Sequence, residues 1–486
     1  MIHGSNIIAV IAKVKMRSSS KNMSGVSNQS GNTPVHDLAW ILNWLQEKNH
    51  EVGVNIEQIP FSRMVNWYVD AATGNLRHQS GKFFSIEGVD VTVEAEFFQH
   101  WTQPIINQPE VGYLGFLTKR INGLMHFLVQ AKVEPGNVNC VQLSPTIQAT
   151  KSNFTQVHKG TPPKYLDYFR SRKGKVLVDQ LQSEQGARFY KKRNRNIIIE
   201  IEEDIAESDN FIWVALSQIK ELLRFDNLIN MDTRTVISSI NYSQIVSADL
   251  TSAALFNKTG NEHGSAVLKS YQDTGCALHA NSEIHSWLTE LKSKYELHAR
   301  LINLKDVKDW VFQSDRIYHS KSRYFSVIAV DVVISNREVS KWCQPLVQPC
   351  QDGIVGFITK NINGVLHFLM QAKVEVGNRD VVELAPTVQC ITGSYDDHER
   401  EYQVQYIDVL LAASSDEIKC DVVLSEEGGR FYKNQNRHLI IQVSDDCPIS
   451  EAERYRWMTL AQIMRYMEFN NHINIEARSL ISLLAV

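Results

Sequence analysis

This chain lacks most of the features by which a function is assigned at sight. Its seven cysteines are odd in number and scattered, with no two at CxxC spacing, which argues against a structural zinc site and fits a reducing cytoplasm. No apolar run approaches the ~18–20 residues needed to span a bilayer. The stretch Ile7 to Ala12 is too short for a signal core, lacks a basic flank before it and is followed by Lys13 and Lys15, so no export is expected. Neither charge sign dominates: 50 Lys and Arg against 54 Asp and Glu leave a formal charge of −4. There is thus no global basic field to hold a nucleic acid, and an anionic ligand must be met locally. HExxH, HxE with a downstream CxxC, GxGxxG and Walker patterns are all missing, so zinc, nicotinamide and ATP have no support and no cofactor or metal is expected.

What is present is an ordinary globular composition, 43% apolar, 9% aromatic and 21% charged over 486 residues. That leaves room for two to four domains and excludes a wholly disordered, collagen-like or mini-protein chain. Residues 1–34 end in a Ser/Asn/Gly-rich stretch that cannot bury enough apolar surface to offset ordering, and a flexible tail is expected there.

The chain then contains itself twice. Trp101-Thr102-Gln103-Pro104 returns as Trp342-Cys343-Gln344-Pro345, and Gly115-Phe116-Leu117-Thr118-Lys119 as Gly356-Phe357-Ile358-Thr359-Lys360. Without a gap, Gln130-Ala131-Lys132-Val133-Glu134 matches Gln371-Ala372-Lys373-Val374-Glu375, and Pro145-Thr146-Ile147-Gln148 matches Pro386-Thr387-Val388-Gln389. Farther out, Trp67 pairs with Trp310, and Arg188-Phe189-Tyr190-Lys191 with Arg430-Phe431-Tyr432-Lys433. Solenoid repeats run ~20–50 residues, so a period this long means a duplicated domain. The expected units are 35–242 and 281–486, joined by a linker over 243–280.

Within a unit, Ile121-Asn122-Gly123 is an Asn-Gly hairpin signal between two strands. The second, Met125 to Glu134, alternates Met125, Phe127, Val129, Ala131 and Val133 with His126, Leu128, Gln130, Lys132 and Glu134. Arg195 to Glu202 reads as a strand, Trp213 to Phe225 as a helix, and Asp232 as the N-cap of a last helix. Strands with helices in each copy give an α/β or α+β domain.

Several groups could carry chemistry. Gln130, Lys132 and Glu134 form either a ligand-reading comb or a solvated sheet face with a cross-strand ion pair. Asn137, Ser144, Thr146, Gln148 and Thr150 could fix a sugar by neutral hydrogen bonds. The second copy replaces Ser144 by Ala385 and Thr150 by Ile391, which favours the first copy as the working one. The run Lys191-Lys192-Arg193-Asn194-Arg195 is a diphosphate candidate because Arg offers a planar fork, or else a basic edge protecting a strand. Glu184 and Arg188 are a structural salt bridge, or a base and a phosphate ligand. His158 lies in a polar loop with no packing reason to be there.

At these residues the sequence resembles the NDP-hexose 2,3-dehydratases, which act on nucleotide-linked 4-keto-6-deoxyhexoses. The strings that carry the resemblance are Trp101 to Pro104, Gln108-Pro109-Glu110-Val111-Gly112, Gln130 to Asn137, Gln142 to Thr150 and Lys192 to Asn196. The resemblance implies tandem Nudix-hydrolase-like α/β domains, a homodimer, a dTDP-sugar substrate and a downstream 3-ketoreductase as partner, and the cysteine pattern places such an enzyme in the cytoplasm. A Nudix-like fold would not bring hydrolysis, since the glutamate-rich metal motif is absent from both copies. In such a reaction a base removes the C3 proton acidified by the C4 ketone, donors hold the enolate, and an acid assists loss of the C2 hydroxyl. The expected roles are base for Glu134 or Glu184, enolate contact for Lys132, acid for His158 or Tyr165, diphosphate ligands Arg188, Arg193 and Arg195, and base stacking by Trp67. A non-catalytic nucleotide-sugar-binding module and a Mg²⁺-dependent pyrophosphatase are the alternatives.

Overall fold

A computed structural model gives the fold, and it describes residues 32–95, 98–154, 162–241, 262–272, 275–335, 339–391 and 404–484. Nearly all of the expected tail, much of the linker, and His158 lie outside these residues.

The architecture is mixed α+β, and its two halves repeat each other element by element. In the first half, helix α1 (Leu38–Glu51) precedes β1 (Val54–Ile59), β2 (Trp67–Val69), β3 (Leu76–His78), β4 (Ser85–Glu94) and β5 (Phe98–Asn107). Next come β6 (Tyr113–Ile121), β7 (Leu124–Val133), β8 (Val141–Ser144), β9 (Ile147–Ala149), α2 (Leu166–Ser171), β10 (Lys175–Ser183), β11 (Arg193–Glu200), β12 (Phe211–Ala215), α3 (Leu216–Leu222) and α4 (Met231–Ser238). After α5 (Glu262–Tyr271), the second half repeats the order with α6 (Asn281–Lys294), β13 (Glu296–Ile302), β14 (Trp310–Phe312), β15 (Arg316–His319), β16 (Phe325–Ile334), β17 (Lys341–Pro349), β18 (Gly353–Ile362), β19 (Val365–Lys373), β20 (Glu383–Ala385), β21 (Val388–Ile391), a short helix (Ile407–Leu411), β22 (Ile418–Ser425), β23 (Gln435–Gln442), β24 (Tyr455–Thr459), α7 (Leu460–Met467) and α8 (Ile475–Leu483).

The Asn-Gly signal is realised twice. Asn122 and Gly123 stand at φ +49° and +76°, Asn363 and Gly364 at +54° and +77°, the left-handed pair that a two-residue hairpin requires. Of the two alternatives for this face of β7, a fully solvated one does not hold: Glu134 is buried and Gln130 and Lys132 are half-buried, while His126 and Leu128 are fully buried because Leu166 and Phe169 at α2 and Trp213 of β12 pack over that side. Only toward Lys132 does the face open.

Two boundaries differ from the sequence reading. Residues 213–215 belong to β12, which pairs with β7, and the helix begins at Leu216. Three consecutive buried residues fit both a strand and a helix start, and pairing to the sheet decides. The last helix is capped by Asn230, whose side chain accepts from Thr233 N–H at 2.9 Å, which places Asp232 inside the first turn. The stretch read as a linker also contains α5, which buries Val267 and Tyr271 and lies on β19.

Each half has two sheets, and the smaller ones are exchanged. β1 of the first half pairs along its whole length with β16 of the second, and β13 of the second with β4 of the first. The larger sheets run β10-β11-β6-β7-β12 and, in the second half, through β18 and β19 to β24, each with one parallel pair among antiparallel ones. The cores merge as well, since α4 and α8 pack together between the halves and one apolar cluster runs from Ile41 to Leu484.

Two fully buried arginines sit at that junction in reciprocal positions. Arg234 donates to Ser479 Oγ at 2.7 Å and to the Ile229 and Ser425 carbonyls, while Arg478 donates to Thr235 Oγ1 at 2.6 Å and to the Ile473 and Ser183 carbonyls. Burial lowers the pKa of both, to about 10 for Arg234, against the support of nearby carboxylates.

Candidate active site

The strand β7 ends at Val133, and the chain turns at once through Glu134-Pro135-Gly136-Asn137. This turn interlocks with the other half: Gly136 N–H donates to Gly428 O at 2.7 Å and Gly136 O accepts from Lys433 N–H at 2.8 Å. A Cβ on Gly136 would lie 1.6 Å from Phe431 O, so only glycine fits. The interlock carries Glu427, Gly429 and Arg430 up against Glu134.

Between them lies a cavity of about 790 Å³. The first half lines it with Trp67, His78, Phe84, Lys132, Glu134, Gln148, Thr150, Asn194 and Asp232, and the second half with Asp331, Lys341, Trp342, Cys343, Gln344, Glu427 and Arg430. That size suits a nucleotide sugar.

A relay fixes the two groups from β7. Lys132 Nζ donates to Gln148 O at 3.2 Å, and Gln148 Nε2 donates to Glu134 Oε1 at 2.8 Å. Gln148 Oε1 in turn accepts from Asn230 Nδ2 at 3.1 Å and from the Ser144 hydroxyl at 3.3 Å. Glu134 Oε2 is buried and, among the described residues, has no hydrogen-bond partner. The second half repeats the relay with Lys373, Gln389, Glu375 and Asn474.

Carboxyl groups crowd this wall. Burial, together with the neighbouring Glu427, Glu184 and Glu134, holds Asp232 well above the usual carboxylate range. Burial also pushes Glu427 up to about 7, with Glu134 and Glu184 adding to the effect and Arg430 and Lys192 opposing it. Arg430 stacks its guanidinium 4.1 Å from the Phe84 ring centre and donates through Nε to Gln108 Oε1 at 3.2 Å. Trp342 Nε1 donates to Gln344 Oε1 at 2.7 Å, and Gln344 Nε2 to Gly429 O at 2.8 Å, so the repeated Trp-x-Gln-Pro string braces the loop beside the cavity.

The structure brings Trp67, Lys132, Glu134, Gln148, Thr150 and Asn194 to the cavity, and the other expected site residues that it describes lie elsewhere. Glu184 is buried at the junction of the halves, accepting from Asn194 Nδ2 at 2.7 Å, with its pKa raised by burial against the pull of Arg478 and Lys192. Arg195 forms a two-pronged pair with Asp179 at 2.6 Å and 2.6 Å on the outer side of β10 and β11. Arg193 is half-buried near Arg379 and does not line the cavity. Lys192 is buried, donating to Glu110 O and to Asn194 Oδ1. Arg188 stacks on Phe325 at 4.3 Å, the reciprocal of Arg430 on Phe84, and burial lowers its pKa to about 10.

The neutral candidates are mostly structural. Thr146 donates to Leu128 O and accepts from Leu117 N–H, Ser144 supports Gln148, and Asn137 donates to Cys140 O beside Gly428. Gln130 is half-buried on β7 outside the cavity lining, and Tyr165 packs edge-on to Phe211 at 5.2 Å. The sequence reading missed Asp232 as a lining residue, and Glu427 and Arg430 altogether, because the latter two reach this site from the other copy. Glu427 did carry a signal: it stands where the first copy has Gln185, an acid gained or lost between otherwise matching strings.

A family model described as NDP-hexose 2,3-dehydratase matches residues 38–240 and 281–484. The chain is similar to a dTDP-4-dehydro-6-deoxy-alpha-D-glucopyranose 2,3-dehydratase of Saccharopolyspora spinosa, 43% identical over 440 residues that cover 90% of this chain and 89% of the relative. It is similarly related to proteins of the same description from Streptomyces violaceoruber, 41% identical over 452 residues (92% and 97% covered), and Amycolatopsis orientalis, 40% over 446 residues (90% and 88%).

Proposed function

Because this chain belongs to the NDP-hexose 2,3-dehydratase family, we propose that the cavity between its halves is where a dTDP-4-keto-6-deoxyhexose loses water. The enzyme is a hydro-lyase: a proton is taken from C3, the C2 hydroxyl departs as water, and the enol that remains tautomerises to a 3,4-diketo-2,6-dideoxy nucleotide sugar.

The observation that carries the assignment of this cavity is the convergence of Lys132 and Glu134 on it, with one buried oxygen of Glu134 unpartnered among the described residues. Glu134 is the base for the C3 proton, its other oxygen oriented by Gln148. Lys132 supplies positive charge beside the enolate that forms at C4. The remaining lining cations, Lys341 and Arg430, meet the diphosphate, and the aromatic wall of Trp67, Phe84 and Trp342 meets the thymine. This moves the diphosphate away from Arg193 and Arg195, whose surroundings do not support the earlier expectation. The resemblance supports the finer proposals: units 35–242 and 281–486 of Nudix-like build, a homodimer and transfer of product to a 3-ketoreductase; the cysteine pattern supports a cytoplasmic location.

The test is incubation of purified protein with dTDP-4-keto-6-deoxyglucose, with and without EDTA, followed by mass spectrometry. Loss of 18 mass units in both arms is expected. Ligand binding without turnover would mark a binding module, and Mg²⁺-dependent release of thymidine monophosphate a pyrophosphatase.

A further inference from the structure

We propose that Glu427, delivered to the cavity by the second half, is the acid that protonates the departing C2 hydroxyl while Glu134 of the first half takes the C3 proton. This rests on the dehydratase reading of the cavity.

A Cβ built on Gly429 would lie 2.8 Å from Glu427 Oε1 and 3.3 Å from Glu134 Oε1, so the two oxygens are at most about 6 Å apart on one stretch of wall. Groups at that spacing can each reach one of two adjacent sugar carbons. Glu427 is only half-buried, open on the cavity side, and among the described residues its carboxyl group makes no hydrogen bond.

The two copies also differ at this position. The string Ser425-Glu426-Glu427 answers to Ser183-Glu184-Gln185, and Gln185 is buried with its amide donating to Glu426 Oε2 at 2.7 Å. Next to Gly186, whose Cβ would lie 2.8 Å from Glu375 Cβ, the second copy's relay thus has an amide residue in sequence where the first copy's has an acid, and that amide is turned to Glu426. An amide cannot deliver a proton at neutral pH.

Protonation fits the role. Burial and the carboxylates Glu134 and Glu184 raise Glu427 to about 7, with Arg430 and Lys192 opposing and Asp232 alongside, so an acidic proton is held where dehydration needs one. The cycle balances. Glu134 accepts the C3 proton and the C3–H electrons form the enediolate, whose collapse expels the C2 oxygen as water with the proton from Glu427. The C2=C3 enol then takes a proton at C2 from Glu134 and gives its O3 proton to Glu427, so both groups return to their starting states.

The experiment uses the full chain carrying Glu427→Gln, the residue the fold already accepts at position 185, incubated with dTDP-4-keto-6-deoxyglucose in D₂O. The kcat for dehydration should fall about 100-fold or more at little-changed KM, while unreacted substrate gains one deuterium at C3 through Glu134. Glu134→Gln should abolish that exchange. Dehydration within threefold of wild type overturns the proposal, as does loss of exchange and dehydration together to the level of Glu134→Gln. If the Gln variant shows no melting transition, Glu427→Asp replaces it: its shorter reach should cost at least tenfold in kcat, and unchanged kcat overturns the assignment. A wild-type protein that neither exchanges nor dehydrates refutes the dehydratase reading instead.

Discussion

Replacing Gly136 by Ala probes the interlock of the halves more sharply than any change of charge. The new methyl would lie 1.6 Å from Phe431 O, where carbon–oxygen contact needs ~3.2 Å, so one backbone must retreat by roughly 1.5 Å. That retreat strains or breaks the bonds from Gly136 N–H to Gly428 O and from Lys433 N–H to Gly136 O, now 2.7 and 2.8 Å. Overpacking costs about 1–3 kcal/mol and each lost hydrogen bond about 0.5–1.5 kcal/mol, so the sum is about 2–6 kcal/mol. A protein of ordinary stability has only about 5–15 kcal/mol in all. Gly136 does not adopt the left-handed conformation, so the cost is steric and not a matter of backbone freedom. Turnover should fall too, because the same turn carries Glu134. Urea titration followed by circular dichroism measures the loss. Gly264→Ala, in α5 with nothing within 4 Å of its Cβ, is the control and should be neutral or stabilising by up to about 1 kcal/mol. If Gly136→Ala matches that control in midpoint and activity, the interlock argument fails.

Arg195→Lys should leave dTDP affinity within twofold by calorimetry, because the Arg195 fork is already occupied by Asp179; a tenfold loss would return the diphosphate to that edge. Arg478→Met should destabilise by about 3–5 kcal/mol in denaturant, since Glu184, Glu383 and Glu476 lose their buried counter-charge; less than about 1 kcal/mol would show that they are protonated in the fold. Burial raises Glu383 to about 7 although the Ser183 hydroxyl and Arg478 favour its charged form. The folded state then holds this proton more tightly than the unfolded chain, so the contribution of Glu383 to stability is greatest below the ordinary value of 4.5 and is lost as pH rises to about 7. The melting temperature of Glu383→Gln relative to wild type should therefore climb across that window, and a flat difference refutes the shift.

The parts of this fold written in local pattern were readable. The Asn122-Gly123 and Asn363-Gly364 turns, the alternating β7 and β19, and the duplication all follow from neighbours in sequence. Strand exchange was not readable, because Val54 to Ile59 carries no mark that says which of two equivalent sheets it will join. The make-up of the cavity wall was hidden for the same reason in a different guise. Arg193 and Arg195 are concentrated in sequence but project away from the cavity, whereas Arg430 and Glu427 reach it from the opposite copy. Counting hydroxyls lost from the second copy favoured the first copy through Ser144, which only braces Gln148, while the more telling mismatch, Gln185 against Glu427, went unweighed.

The exchanged strands also set a schedule for the chain as it is made. β4 is complete at Glu94, but its partner β13 begins only at Glu296, and Gly53 waits for Ser335, 282 residues later, to accept its hydrogen bond. At ~5–20 residues per second, β4 leaves the ribosome roughly 10–40 s before β13 exists. Through that interval one edge of a hydrophobic strand is open to any extended segment within reach. On a crowded polysome the nearest matching segment can be β13 of the chain ahead, which would tie two nascent molecules together by the same register that closes one. Slower collision, through lower expression or temperature, or a chaperone covering residues 85–94, favours the intramolecular closure.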